Sequence, residues 1–391
     1  MKLGELIEIK HGYAFSGEHI VEDDNGIVLV TPGNFRIGGG FKEEKCKFFD
    51  GEIPADYVLK EGDFIVTMTD LSKTIDTLGY SALVPKSKRT YLHNQRIGLV
   101  TFKSDECDRG YIYWLMRTRE YQRSIANTST GATVHHTSPK KIYDYDLEVP
   151  PLPIQHRIAT ILSRYDSLIE NYQKQIKLLE EAAQRLYKEW FIDLRFPGHE
   201  NTKIVDDVPE GWEKKKLIEL VDVQYGYAFD GKLFNNIGEG MPILRIRNIP
   251  DGITSDYTTE EASKNYIVHN GDIVVGMDGI FHINSWNGDD AYLVQRACSF
   301  RPKEECMKGV IFQAIQEPIK FFEKTLVGAT VAHLGKKHID SIELCIPKNF
   351  ELYQPFSKFY NQRQGLLSQI RLLTEARDRL LPKLMGGEIK F

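Results

Sequence analysis

Two stretches of this sequence repeat the same residues in the same order, and that limits its architecture more than any other feature. Ile7-Glu8-Ile9-Lys10-His11-Gly12-Tyr13-Ala14-Phe15-Ser16-Gly17 lines up with Val221-Asp222-Val223-Gln224-Tyr225-Gly226-Tyr227-Ala228-Phe229-Asp230-Gly231, and G-Y-A-F-x-G is identical in both. Asn34 matches Asn248 at the same offset of 214. Farther on, Glu61-Gly62-Asp63-Phe64-Ile65-Val66-Thr67-Met68 resembles Asn270-Gly271-Asp272-Ile273-Val274-Val275-Gly276-Met277, and Gln95-Arg96 recurs as Gln295-Arg296. Gly131-Ala132-Thr133-Val134 with His136 recurs as Gly328-Ala329-Thr330-Val331 with His333. The order is kept while the offset drifts from 214 to 197, as loop-length differences between duplicated domains produce. A chain of 391 residues exceeds one ordinary core, so it reads as two copies of one unit.

Each copy then runs into a long helix. From Ile158 the apolar positions fall at Leu162, Tyr165, Ile169, Tyr172, Ile176, Leu179, Ala183, Leu186 and Trp190, in alternating steps of four and three that make a coiled-coil seam. The second seam runs through Leu352, Phe356, Phe359, Leu366, Ile370, Leu373, Leu380 and Leu384, with Arg363 and Arg377 at two imperfect positions. The helices share sequence too: Leu178-Leu179-x-Glu181-Ala182 matches Leu372-Leu373-x-Glu375-Ala376. Pro150, Pro151 and Pro153 precede the first helix, Pro355 opens the second, and Gly386-Gly387 stops it. The expected organisation is a globular domain at 1–150, a helix at 151–196, a linker and second globular domain at 197–347, and a helix at 348–391. Pairing of the two seams within one chain is the economical way to cover both, with oligomerisation between chains as the alternative. An antiparallel pair of about 36 residues spans on the order of 50 Å and would hold the two domains at opposite ends of a ruler.

Within the copies, short β-like runs at 27–30, 64–68 and 97–102, then 243–246, 273–277 and 298–300, are broken by Gly, Asn and Asp. Helical stretches at 107–127 and 310–326 precede the Gly-Ala-Thr-Val runs. The expected fold class is α+β with mixed or antiparallel sheets. No stretch approaches the roughly 20 apolar residues of a membrane helix, and the start has no secretory pattern. The five scattered cysteines form no C-x-x-C pair and fit a reducing, cytoplasmic setting. There is no phosphate loop; Gly335-Lys336-Lys337 lacks its spacing and hydroxyl, and no Gly-rich dinucleotide or adenosyl turn appears. His135, His136 and His333 have no partner at metal-ligand spacing. Neither an active site nor a metal site is expected. The formal charge of −5 counts against a large basic surface acting alone.

At this point the residues carry a resemblance. The duplicated plan, the run Val149-Pro150-Pro151-Leu152-Pro153-Ile154-Gln155-His156-Arg157-Ile158, the Val208-Pro209-Glu210-Gly211-Trp212 start of the second copy, and Leu373-Thr374-Glu375-Ala376-Arg377-Asp378 followed by Leu380-Leu381-Pro382-Lys383-Leu384 are similar to the specificity subunit of type I restriction–modification systems. The resemblance covers essentially the whole chain. It implies two target-recognition domains that each read half of a split site in double-stranded DNA, and two long helices in an antiparallel coiled coil that fixes the gap. It also implies partners: two methyltransferase subunits and two restriction subunits that use S-adenosylmethionine, ATP and Mg, while this chain holds no cofactor and chooses the site. One departure stands out. Lys2-Leu3 aligns with Lys216-Leu217, so the first copy lacks a counterpart of residues 208–215 and its N-terminal end is expected to be abbreviated. A coiled-coil scaffold whose repeated domains bind protein or carbohydrate is the alternative that the acidic balance favours.

Residues identical in both copies cannot tell two half-sites apart, so Gly12, Tyr13, Phe15, Gly62, Asp63 and Gly131 are expected to serve the fold. Base readers are expected where polar loops differ: Thr69, Ser72, Lys73 and Thr74 after the Met68 strand, against His282, Asn284, Ser285 and Asn287 after the Met277 strand. Asn34 and Arg36 contrast in the same way with Arg245, Arg247 and Asn248. Arg suits guanine and Asn suits adenine in the major groove. The shared Arg96 and Arg296, Lys140-Lys141 and Lys336-Lys337, and the Thr133 and Thr330 hydroxyls suit phosphate instead.

Overall fold

The computed structural model describes residues 1–44, 46–72, 74–103, 106–325 and 332–389. They divide into two compact units, residues 1–168 with 373–391 and residues 169–372, so each long helix contributes to both.

In the first unit, β1 (Ile7–His11), β10 (Ile97–Phe102), β6 (Phe64–Thr67) and β8 (Ser81–Leu83) form an antiparallel sheet in that order. A second, mixed sheet runs β2 (Ile20–Val21), β4 (Lys47–Phe49), β3 (Ile27–Val30), β9 (Thr90–His93), β5 (Val58–Leu59), with β3 and β9 parallel. A small ribbon pairs β7 (Thr69–Asp70) with β11 (His135–His136). Four short helices complete the domain: α1 (Leu3–Leu6), α2 (Arg109–Leu115), α3 (Arg119–Asn127) and α4 (Pro139–Tyr143). The helical stretch expected at 107–127 comprises α2 and α3, divided where the side chain of Thr118 accepts from the Tyr121 amide and starts α3 afresh.

The second unit repeats both sheets. After a hairpin of β12 (Ile204–Val205) and β13 (Val208–Pro209), β14 (Trp212–Lys216) pairs with β24 (Glu343–Pro347). The antiparallel sheet is β15 (Val221–Tyr225), β23 (Ala297–Pro302), β20 (Ile273–Gly276), β21 (Ile283–Ser285). The mixed sheet is β16 (Phe234–Asn235), β18 (Tyr257–Thr258), β17 (Met241–Leu244), β22 (Ala291–Leu293), β19 (Ile267–Val268), with β17 and β22 parallel. Its short helices are α6 (Leu217–Leu220), α7 (Lys308–Ala314), α8 (Gln316–Thr325) and α9 (Lys336–Asp340). The strand order and the position of the parallel pair are the same in both units, which the sequence duplication requires. Where the second unit has the five-residue β14–β24 ladder, the first has a bridge between Lys2 and Asp146.

The long helices are α5 (Leu152–Tyr187), continued by a π turn at Lys188–Ile192, and α10 (Gln354–Met385). Within the first unit, Ile158 and Leu162 of α5 and Leu381 and Leu384 of α10 are buried in the core with Leu3, Ile7, Trp114 and Tyr121. Asp166 of α5 joins Arg377 of α10 at 2.5 Å. Within the second unit, Phe356 and Tyr360 of α10 and Phe191 after α5 are buried with Trp212, Phe300 and Val310. There Glu180 of α5 meets Arg363 of α10 at 2.6 Å. Early residues of one helix thus meet late residues of the other in each unit, the antiparallel sense. The two arginines that interrupt the apolar spacing are the ones that make these ion pairs.

The repeated G-Y-A-F turn is built on a close approach. A Cβ at Gly12 would lie 2.2 Å from the Asn94 carbonyl oxygen, and one at Gly226 would lie 2.1 Å from that of Val294. Both obstacles are backbone, so neither can swing away. Gly12→Ala and Gly226→Ala are each expected to cost about 1–3 kcal/mol, the usual range for overpacking. Urea unfolding monitored by circular dichroism checks this, and an unchanged midpoint would mean that the turn can relax.

Candidate nucleic-acid interface

From that turn one edge of each domain is assembled by main-chain hydrogen bonds. In the first copy the Tyr13 amide donates to His93 O at 2.8 Å, and Tyr13 O accepts from Gln95 N at 2.9 Å. Arg96 O then accepts from Met68 N at 2.9 Å, and Met68 O from Thr137 N at 3.0 Å. The second copy repeats each step. Tyr227 N donates to Leu293 O, Gln295 N to Tyr227 O, Met277 N to Arg296 O, and Leu334 N to Met277 O. The residue after each methionine meets the repeated histidine: Thr69 Oγ1 lies 3.1 Å from His136 Nδ1, and Asp278 Oδ1 lies 2.5 Å from His333 Nδ1. Asp278 also holds Arg296 at 2.8 Å. Directly after the histidines begin α4, with Lys140 and Lys141, and α9, with Lys336 and Lys337. The shared cations of each copy are thereby gathered on one edge. Arg96, Lys140, Arg296, Lys336 and Lys337 are exposed, and Lys141 donates to the Thr128 carbonyl.

Several polar residues expected at such an edge lie elsewhere. Asn34 is 1% exposed. Its Oδ1 accepts from the Thr31 amide at 2.8 Å and its Nδ2 donates to Lys42 O, so it caps a turn. Asn248 Oδ1 does the same for the Arg245 amide at 2.9 Å, which explains why this asparagine recurs. Thr69 is buried in the β7–β11 ribbon. Asn284 and Ser285 belong to strand β21, which pairs with β20 and faces α10. Ser285 Oγ accepts from Arg363 at 2.6 Å and donates to Gln364 at 2.7 Å, while Asn284 accepts from Arg363 at 2.9 Å. Buried Asn287 accepts from Ser368. These three side chains fasten the second domain to its helix, a correction with a simple cause: the loop that the sequence aligns with 69–74 is shorter than it reads, and its far end is a strand.

The remaining candidates keep an outward position. Arg36 pairs with Glu44 at 3.0 Å and Arg247 with Asp256 at 2.5 Å, both with partly exposed heads. Arg245 lies over the Phe234 ring at 5.3 Å. Thr74 and Thr133 are exposed; Ser72 and His282 are half-buried. Lys73 and Thr330 lie outside the described residues.

The first copy's variable loop is organised by Asp70, whose carboxylate accepts from Ser72 N at 2.6 Å, Thr77 N at 2.5 Å and Thr77 Oγ1 at 2.7 Å. Burial alone would push this carboxyl up, but the hydrogen bonds from Ser72 and Thr77 outweigh it and hold it below the usual carboxylate range. A depressed folded value stabilises the loop above the ordinary carboxylate pKa, and that stability is lost as pH falls through the folded value. Four exposed residues stand out at this edge although the polar pattern did not single them out. Leu71 and Ile280 are exposed at the tips of the two variable loops, and Tyr227 is exposed beside Gln295, as Tyr13 is beside Gln95. The legible signal was positional: Leu71 and Ile280 are each third after the repeated methionine.

The chain is thus a duplicated α+β domain, each copy carrying the same frame, a loop that differs and a following helix. The chain belongs to the family of the type I restriction modification DNA specificity domain, which it matches twice, over residues 1–181 and 209–370. It is similar to the type I restriction enzyme MjaIX specificity subunit of Methanocaldococcus jannaschii, 27% identical over 301 residues that cover 72% of this chain and 69% of that one. The MjaVIII specificity subunit of the same organism is 27% identical over 310 residues, covering 74% and 72%. The crystal structure of the type-I restriction-modification system S subunit from M. genitalium shares the fold, with a TM-score of 0.55 at 18% identity over 98% of this chain and 95% of that one. No helix among the described residues is long and apolar enough to cross a membrane.

Asp70→Asn is expected to lower stability by about 1–3 kcal/mol at neutral pH, the range for a charged hydrogen-bonding group. The difference from the parent should shrink in acid, where the parent carboxyl is also protonated. Urea titrations at two pH values measure both; a pH-independent difference would take Asp70 out of this role.

Proposed function

We propose that each domain reads one half of a bipartite double-stranded DNA site without performing chemistry itself, and that the paired helices set the gap between the halves. The observation that carries this is the pairing of an identical frame with unlike loops. The G-Y-A-F turn, the Gln-Arg turn and the strand ending in methionine recur bond for bond, while residues 69–77 and 278–282 differ in length, sequence and anchoring. Arg96, Lys140, Lys141, Arg296, Lys336 and Lys337, with Thr133 and Thr330, would contact phosphate; being shared, they suit a sequence-independent role. Ser72, Lys73, Thr74, Arg36, Arg245, Arg247 and His282 are the polar groups left for base edges. Partners complete the enzyme: two methyltransferase subunits using S-adenosylmethionine, which would flip and methylate adenine, and two restriction subunits using ATP and Mg. With a formal charge of −5, the phosphate contact that this chain lacks would come from those partners.

Exchanging residues 1–150 for the corresponding domain of a relative should change one half of the methylated sequence and leave the other intact. Methylation-site mapping in cells that carry the chimaera and its methyltransferase reads this directly, and a change in both halves would contradict modular reading. The helices make a separate prediction. Fourteen residues separate Asp166 from Glu180 on α5 and Arg377 from Arg363 on α10. Removing seven residues from each helix between these positions keeps both ion pairs in step and should shorten the gap between half-sites. An unchanged gap would end the spacing role.

A further inference from the structure

Two aliphatic residues project where a DNA-reading surface needs an apolar group. Leu71 is 59% exposed and Ile280 is 61% exposed. They are structural equivalents, since Thr69 pairs with His136 in the first copy as Asp278 pairs with His333 in the second, and each aliphatic lies two residues farther on. One exposed aliphatic is ordinary on a protein surface. Here the same exposure recurs at the same place in two loops that share no other sequence.

Neither residue is exposed for want of anchoring. Before Ile280, the Gly279 amide donates to Ala332 O at 3.0 Å; after it, Phe281 is buried and its amide donates to Glu323 at 2.7 Å. Ile280 is the projecting residue between two fixed ones. Leu71 likewise stands between buried Asp70 and Ser72, which is tied back to the Asp70 carboxylate. A side chain held out in this way meets a partner with little conformational entropy left to lose. Beside it on the same edge are Arg296 and the lysine pair of α9, and in the first copy Arg96 and the pair of α4, which suit phosphates flanking a groove. Among the groups that base pairs present in the major groove, the apolar one is the C5-methyl of thymine.

We propose that Leu71 and Ile280 are specificity-determining residues, each packing on a thymine C5-methyl in the half-site read by its own domain. This rests on the DNA-reading function above. It requires at least one A·T pair in each half-site, and the two residues then discriminate by shape what the polar neighbours discriminate by hydrogen bonds.

The test uses the full chain in complex with its methyltransferase subunit. Mapping methylated adenines first identifies the two half-sites. Duplexes are then made in which each thymine in turn becomes uracil, which removes only the methyl group, and affinity is measured by fluorescence anisotropy. The parent complex should lose about three- to fivefold at one thymine in each half-site, the worth of one buried methyl. The Ile280→Ala complex should bind the unmodified site that much more weakly and lose nothing further on uracil in one half-site, while keeping the parent's loss in the other. Leu71→Ala should show the converse. Both positions are exposed, so the melting temperature should match the parent. Equal uracil losses in parent and variants, or a half-site of G·C pairs alone, would overturn the proposal, as would a weakening insensitive to uracil, which points to a wedge between base steps. Failure of the underlying DNA-reading function looks different: the parent complex would then prefer no sequence at all.

Discussion

Each long helix begins inside the core of the globular domain that precedes it, and the rest of the architecture follows from that burial. Ile158 and Leu162 are inseparable from the first core, and Phe356 and Tyr360 from the second. A helix that is apolar along one stripe gains little alone, since helices in water are held mainly by packing of that stripe. Here its first turns are fixed by a folded domain, and its later turns meet the other helix. The polar groups then choose among packings that apolar contact would tolerate equally. Arg117, nearly buried, reaches Asp166 at 2.6 Å, and Asp166 also holds Arg377. In the second unit Arg363 is shared by Glu180 on α5 and by Asn284 and Ser285 on β21. Burying such groups is weak evidence of net stability, but it penalises any arrangement that leaves one of them unpaired.

Much of this was legible in the sequence. The duplication, the antiparallel and mixed sheets and the helix seams come from periodicity and repetition, which need no tertiary information. Strand 243–246 is displaced to Met241–Leu244 because Arg245 and Asn248 start a capped turn, and a polar residue following an apolar run reads the same in either role. The site was less legible for a related reason. Asn284, Ser285 and Asn287 have the composition of a solvated loop, yet they face a helix that lies about 80 residues away along the chain and was recognised separately. Leu71 and Ile280 carry the opposite ambiguity, because an aliphatic residue after a strand suggests core. Arg363 and Arg377 were visible as interruptions of the seam, and the carboxylates opposite them supply the reason.

An acidic chain that handles DNA must manage its cations. Arg36, Arg247 and Arg296 are each held by a carboxylate, from Glu44, Asp256 and Asp278. Such exposed pairs contribute little to stability. Their effect is to keep the guanidinium groups oriented.

The frame of each domain is joined largely by main-chain hydrogen bonds, from Met68 to Arg96 and from Met277 to Arg296, and the exposed side chains of Leu71 and Ile280 in the variable loops take no part in it. Positions of that kind can be replaced with little thermodynamic consequence for the body that carries them. A loop anchor such as Asp70 or a turn glycine cannot. Two descendants of one ancestral domain could thus diverge in what they recognise while their skeletons stayed superimposable, and a lineage under pressure to change its target would find its variation concentrated there.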